Sequence, residues 1–98
     1  MTGTTISSAA LDPRRRKILF RARHRGLREM DLLLGSFADA WIARLGEAEL
    51  RDFELLMEMP DRDVLDWLTA ARRVPAVFET SLFARLRTFH THSRPLHI

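Results

Sequence analysis

Apolar residues recur at three- and four-residue steps through most of the chain, the period of a helix with one buried face. A first short stripe, Ile18, Leu19 and Ala22, follows Asp12-Pro13, a helix-start pair in which the aspartate accepts free N–H groups and the proline needs none. The pattern predicts a helix from Pro13 to about His24, ended by Gly26 in a left-handed position. A longer stripe of Met30, Leu34, Phe37, Ala38, Trp41 and Leu45, widened by Leu32, Leu33 and Ile42, predicts a second helix to about Arg44, closed by Gly46. Glu29 and Asp31 in its first turn suit the helix dipole. Leu50, Phe53, Leu56 and Met57 predict a third helix over Glu47 to Glu58. Pro60 breaks it. Asp61 reads as the cap of a fourth helix, Arg62 to about Ala71, with Val64, Leu65 and Leu68 inward. Val74-Pro75 is the next breaker, and a fifth helix follows from Ala76 to about His90 with Phe78, Leu82, Leu86 and Phe89 on one stripe. Trp67 lies one step off its stripe and reads as core or as a half-exposed flank of a contact face. No segment alternates with a period of two. The fold class is all-α, a compact bundle of about five short antiparallel helices. The organisation expected is a disordered tail over 1–11, a helical domain over 12–90 and a flexible tail over 91–98.

The 98 residues leave room for one domain. The chain has no cysteine, which excludes disulfides, thiolate metal ligands and a cysteine nucleophile. No apolar run approaches the ~20 residues of a membrane span. Charge changes the picture more. Residues 1–28 sum to +7 and residues 29–98 to −4, a basic head on an acidic body. Such a head suits nucleic acid, an anionic membrane or an acidic protein surface, or is simply a solvated, arginine-rich helix. A nucleic-acid module would set Arg14, Arg15, Arg16, Lys17, Arg21 and Arg23 on phosphates.

Catalytic signatures are absent. There is no Gly-rich phosphate loop and no nucleophile elbow, and the carboxylates sit on solvated helix faces rather than in an apolar pocket. His90, His92 and His97 crowd the C-terminal tail with His24 far away, which reads as solvated histidines rather than a zinc site. No catalytic and no metal residues are expected. No dinucleotide fingerprint is present, so no stably bound cofactor is expected. An interaction module fits better than an enzyme.

The segment Arg23-His24-Arg25-Gly26-Leu27-Arg28-Glu29-Met30-Asp31 mixes both charges around one glycine. At a turn between two helices it presents cations and carboxylates on a small corner. That corner is either a capping device whose charges pair with each other, at ~0–1 kcal/mol per exposed pair, or a contact surface.

Arg25-Gly26-Leu27-Arg28-Glu29 with Asp31 resembles the RGxxE signature of the small succinate dehydrogenase flavinylation factors, the FAD assembly factors of bacteria and mitochondria. Phe37 stands where that family has an aromatic residue. Leu45-Gly46-Glu47-Ala48-Glu49, the stretch with Phe53, Leu55, Leu56 and Glu58, and Asp61 to Leu68 with its Trp-Leu pair resemble further family segments, so the likeness covers roughly residues 17–90. The resemblance implies a five-helix bundle that is not itself an enzyme. It implies binding to the flavoprotein subunit of succinate dehydrogenase, and often of fumarate reductase, to promote covalent attachment of FAD, which is handled on the partner. The partner-facing residues it implies are Arg25, Gly26, Arg28, Glu29 and Asp31. On this reading Arg25 offers a bidentate contact, and Arg25 and Glu29 are dispensable for folding. The Ser/Thr-rich start is superficially like a mitochondrial presequence, but its arginines belong to the first helix, so a bacterial cytoplasm is the compartment expected, ahead of the mitochondrial matrix.

Overall fold

A computed structural model describes residues 10–90; both expected tails lie largely outside them. Among these residues there are five α-helices: α1 (Pro13–Arg23), α2 (Arg28–Trp41), α3 (Glu47–Met57), α4 (Asp61–Leu68) and α5 (Ser81–Thr88), with a 3-10 turn, Ala76–Phe78, before α5. No strand occurs among them, in agreement with the all-α expectation. Asp12 caps α1 as expected: its carboxylate accepts from the Arg15 N–H at 2.8 Å.

The core forms from the predicted stripes. Met30, Leu34, Phe37 and Ala38 of α2 are fully buried. Phe37 meets Phe53 of α3 edge-on at 5.7 Å and Phe89 at 5.7 Å, the arrangement in which a ring edge faces a neighbouring π cloud. α1 packs on α2 and α3, and α5 on α3. Gly35 lies at the α1–α2 contact, where a Cβ would just touch Arg23 Cγ at 3.4 Å and the Ala22 carbonyl at 3.7 Å.

The structure differs from the sequence expectation at several places, each with a local cause. The fifth helix does not start at Ala76. Thr80 accepts from the Phe83 N–H at 3.1 Å and starts α5 there, so Phe78 sits outside the helix and stacks on Trp67 at 5.2 Å. That stack leaves Trp67 only 5% exposed, in the core. Helix α4 stops at Leu68 because Ala70 takes a left-handed conformation, φ 64°, while the Ala71 N–H donates to the Asp66 carbonyl at 2.8 Å. This is the bond pattern of a Schellman end with alanine in the glycine position. Gly26, by contrast, is not left-handed; no glycine among the described residues has positive φ. Helix α2 closes at Trp41, three residues early.

Four side chains change place. Leu32 is 56% exposed rather than inward. Trp41 is half-buried between the guanidinium groups of Arg44 and Arg85, 4.2 and 4.6 Å from its ring. Leu11, assigned to the tail by the sequence, is buried against the core. His90, expected in solvent, is completely buried with Nε2 donating to the Leu33 carbonyl at 2.8 Å.

Candidate functional site

The basic face of α1 is engaged within the domain. Arg14 reaches Glu54 at 2.9 Å and Glu47 at 2.7 Å on α3. Arg21 reaches Glu58 at 2.9 Å, and Arg23 pairs with Asp39 of α2. Arg15 donates to the carbonyls of Ile42 at 3.0 Å and Leu45 at 2.6 Å, closing the C-terminal end of α2. Arg16 donates to the Leu11 carbonyl at 2.7 Å. Of the six cations that a nucleic-acid reading sets on phosphates, Lys17 alone has no acceptor among the described residues. The basic head is thus largely neutralised by acids 33 to 40 residues further along the chain. Salt-bridged arginines of this kind are poorly placed to release phosphate counterions.

The corner between α1 and α2 is built differently, and its five candidate residues divide. Arg25 turns inward. Its Nε donates to Asp61 Oδ1 at 2.7 Å, and its two terminal nitrogens donate to the carbonyls of Met57 at 2.9 Å and Met59 at 3.0 Å. These are orphan acceptors at the end of α3, where a cation also suits the helix dipole. The side chains of Arg25 and Asp61 are 11% and 13% exposed. Asp61 does not cap its own helix. Its second oxygen accepts from the backbone N–H groups of Gly26 at 2.8 Å and Leu27 at 2.9 Å, at the entry to α2. Asp31 turns back to accept from the Arg25 N–H.

Gly26 lies directly beside that clasp: a Cβ there would stand 3.4 Å from Asp61 Oδ2, at ordinary contact distance, and its backbone is not in the left-handed region. Burial pushes the Asp61 carboxyl up, but the Leu27 N–H, the Arg25 guanidinium and the Gly26 N–H together hold it below the usual carboxylate range.

Arg28 and Glu29 turn outward. Both are exposed in the first turn of α2, and neither has a hydrogen bond or ion pair among the described residues. Exposed Leu32 follows on the same side, four residues after Arg28 and three after Glu29. The structure therefore separates the motif into three positions, Arg25, Gly26 and Asp31, that hold the corner through internal hydrogen bonds, and an exposed pair, Arg28 and Glu29, that stands free on it. Arg25, expected to offer its guanidinium to a partner, has an acceptor within the domain for each of its three nitrogens.

Asp61 is the residue that sequence reasoning misplaced. The aspartate after Pro60 looks like a helix cap, and nothing local tells that it serves another helix 35 residues upstream. An open groove of about 840 Å³ lies elsewhere, between Trp67, Arg72, Val74, Glu79 and Arg87, and no corner residue lines it. Among the described residues no three His, Asp or Glu side chains gather as a metal site, and no helix is long and apolar enough to cross a membrane.

The match to known proteins spans this corner. Residues 16–90 match the family described as flavinator of succinate dehydrogenase. The chain is 43% identical over 82 residues to the mitochondrial succinate dehydrogenase assembly factor 2 of Dictyostelium discoideum, covering 84% of this chain and 57% of that protein. It is 40% identical over 81 residues to the FAD assembly factor SdhE of Acetobacter pasteurianus, covering 83% of this chain and 74% of the relative. It is 30% identical over 82 residues to the mitochondrial succinate dehydrogenase assembly factor 2 of Danio rerio, covering 82% and 52%. The chain thus spans between about half and three quarters of the length of these relatives.

Proposed function

The chain belongs to the family of succinate dehydrogenase flavinators, and from that premise we propose that it binds the flavoprotein subunit of succinate dehydrogenase and promotes covalent attachment of FAD to that subunit. The observation that carries this reading is the family match running through a corner on which Arg28 and Glu29 stand exposed and unpartnered. Within a folded domain, a carboxylate and a guanidinium left without internal partners are free to pair across an interface. There such pairs govern register and selectivity more than bulk affinity.

The chain acts without a catalytic centre of its own. Forming the flavin–protein bond needs a positioned nucleophile and stabilisation of charge on the flavin. Both are supplied by the flavoprotein once it holds the right conformation. A small partner that binds that conformation in preference raises its population, by no more than its differential affinity allows. This role requires a rigid contact surface and no stably held cofactor, and FAD is handled on the flavoprotein. Arg28 and Glu29 touch the partner. Arg25, Gly26 and Asp31 serve it by holding the corner. The flavoprotein of fumarate reductase is a second client on this reading. The cytoplasm of a bacterium is the compartment we assign, supported by the likeness to the FAD assembly factor of Acetobacter pasteurianus.

The test is complementation. Cells lacking their own factor receive this chain, and covalent flavin on each flavoprotein subunit is read by in-gel fluorescence. Restored fluorescence on the succinate dehydrogenase subunit is expected. A folded, expressed chain that restores none contradicts the proposal.

A further inference from the structure

We infer that Asp61 is a positioning residue for partner recognition, fixing through Arg25 and the N–H groups of Gly26 and Leu27 the frame from which Arg28 and Glu29 meet the flavoprotein. The inference rests on the reading that this corner faces the partner.

Asp61 occupies a position with two demands on it. As the first residue of α4 it stands beside that helix's positive end. Its side chain nonetheless leaves the α4 N–H groups without a side-chain cap. Instead both its oxygens are committed across the fold, Oδ1 to Arg25 Nε at 2.7 Å and Oδ2 to the Gly26 and Leu27 N–H groups at 2.8 and 2.9 Å. One carboxylate thereby lies at the N-terminal ends of both α2 and α4. The arginine bound to it covers the C-terminal carbonyls of α3. Each charge suits the helix ends it faces.

The consequence for the exposed pair is geometric. Leu27 is the residue before α2, with extended backbone, and its peptide plane sets the direction in which the helix begins. Arg28 and Glu29 are the next two residues. Two N–H groups locked to a mostly buried carboxylate hold that plane in place. Without the carboxylate the corner keeps its sequence and its exposed charges but loses the anchor that orients them. A partner then meets the competent arrangement only part of the time, and its apparent dissociation constant rises in proportion.

The test uses the full chain and the purified succinate dehydrogenase flavoprotein subunit. Its variants are Asp61→Asn, the pair Arg28→Ala with Glu29→Ala, and the three together, each at a temperature where circular dichroism shows it folded. Asp61→Asn is expected to weaken binding about tenfold, as when the competent corner is populated one-tenth of the time. On the Arg28→Ala, Glu29→Ala background the same change is expected to weaken binding little, because the groups it orients are gone and coupled sites are not additive. A folded Asp61→Asn chain with wild-type affinity overturns the inference. So does an equal loss on both backgrounds, which is what a purely structural residue gives. If the Arg28→Ala, Glu29→Ala chain itself binds like wild type, the corner is not the contact site, and that reading fails first. Amide exchange of the wild-type chain covers the case in which Asp61→Asn does not fold. Gly26 and Leu27 amides protected like the interior of α2 are expected, and exchange at the rate of free peptide overturns the inference.

Discussion

Arg25 and Arg28 stand three residues apart, carry the same side chain and meet opposite surroundings. The first is nearly enclosed, each guanidinium nitrogen on a carboxylate or carbonyl of the α3–α4 turn. The second is exposed with no partner among the described residues. The pair teaches that a short motif can combine two jobs that fail differently. Loss at Arg25 leaves one oxygen of a mostly buried carboxylate and two helix-end carbonyls without their donor, so it acts through the shape of the domain. Loss at Arg28 or Glu29 removes a group that only a partner would notice. The α1 arginines extend the lesson, since Arg15 closes the end of α2 much as Arg25 closes the end of α3.

The largest expected effect lies in the core on which both halves of the corner rest. Phe53 is fully buried against Phe37, and Phe53→Ala is expected to cost about 3–5 kcal/mol, a large share of the stability of a small domain. Thermal unfolding checks it, and a curve overlaying wild type would remove Phe53 from the core. Next comes Arg25→Lys. Lysine keeps the charge but not the planar fork, so it cannot serve Asp61, Met57 and Met59 together. A loss of about 1–3 kcal/mol is expected from hydrogen bonds to charged groups and stranded acceptors, measured by urea unfolding.

Much of this was readable in advance, and the exceptions share a cause. Met30, Leu34, Phe37 and Ala38 obey a local period, and all are fully buried. The motif itself is contiguous, so its place at a helix–helix corner could be read from Gly26 and the flanking stripes. The direction each side chain takes could not. Arg25 turns inward because of Asp61, and the α1 arginines are neutralised by Glu47, Glu54 and Glu58. These partners lie 33 to 40 residues away, where no periodicity reports on them. His90 is similar: one of three histidines crowded near the end of the sequence, it gives no sign that the Leu33 carbonyl awaits it. The break before α5 did have a signal, the threonine three residues before Phe83, but the stripe through Phe78 outweighed it.

Smaller effects sharpen the contrast between the two halves. The Asp61 carboxyl lies below its ordinary value of 3.8 in the folded chain. Its stabilisation is therefore fully present above that value and is lost as pH falls through the folded-state value. Acid unfolding of Asp61→Asn is expected to show a weaker pH dependence below about pH 4 than wild type; identical profiles would mean the clasp carries no charge-dependent stability. Ala70→Gly is the smallest change. It relieves the left-handed strain of alanine, about 1–2 kcal/mol, against the entropy glycine adds to the unfolded chain, about 0.5–1 kcal/mol. A slight rise in melting temperature is expected with flavinylation untouched, because Ala70 borders the open groove and not the corner. A fall in melting temperature would deny the strain.

The most direct measurement sets Glu29→Ala against wild type in cells lacking their own factor, reading covalent flavin on the succinate dehydrogenase flavoprotein alongside the melting temperature of the purified chain. Glu29 contributes only a helix-dipole interaction of about 0.3–1 kcal/mol to the fold, so the variant should stay folded with nearly unchanged melting. The account predicts severe loss of covalent flavin at that unchanged stability. Normal covalent flavin from a folded Glu29→Ala chain would contradict it.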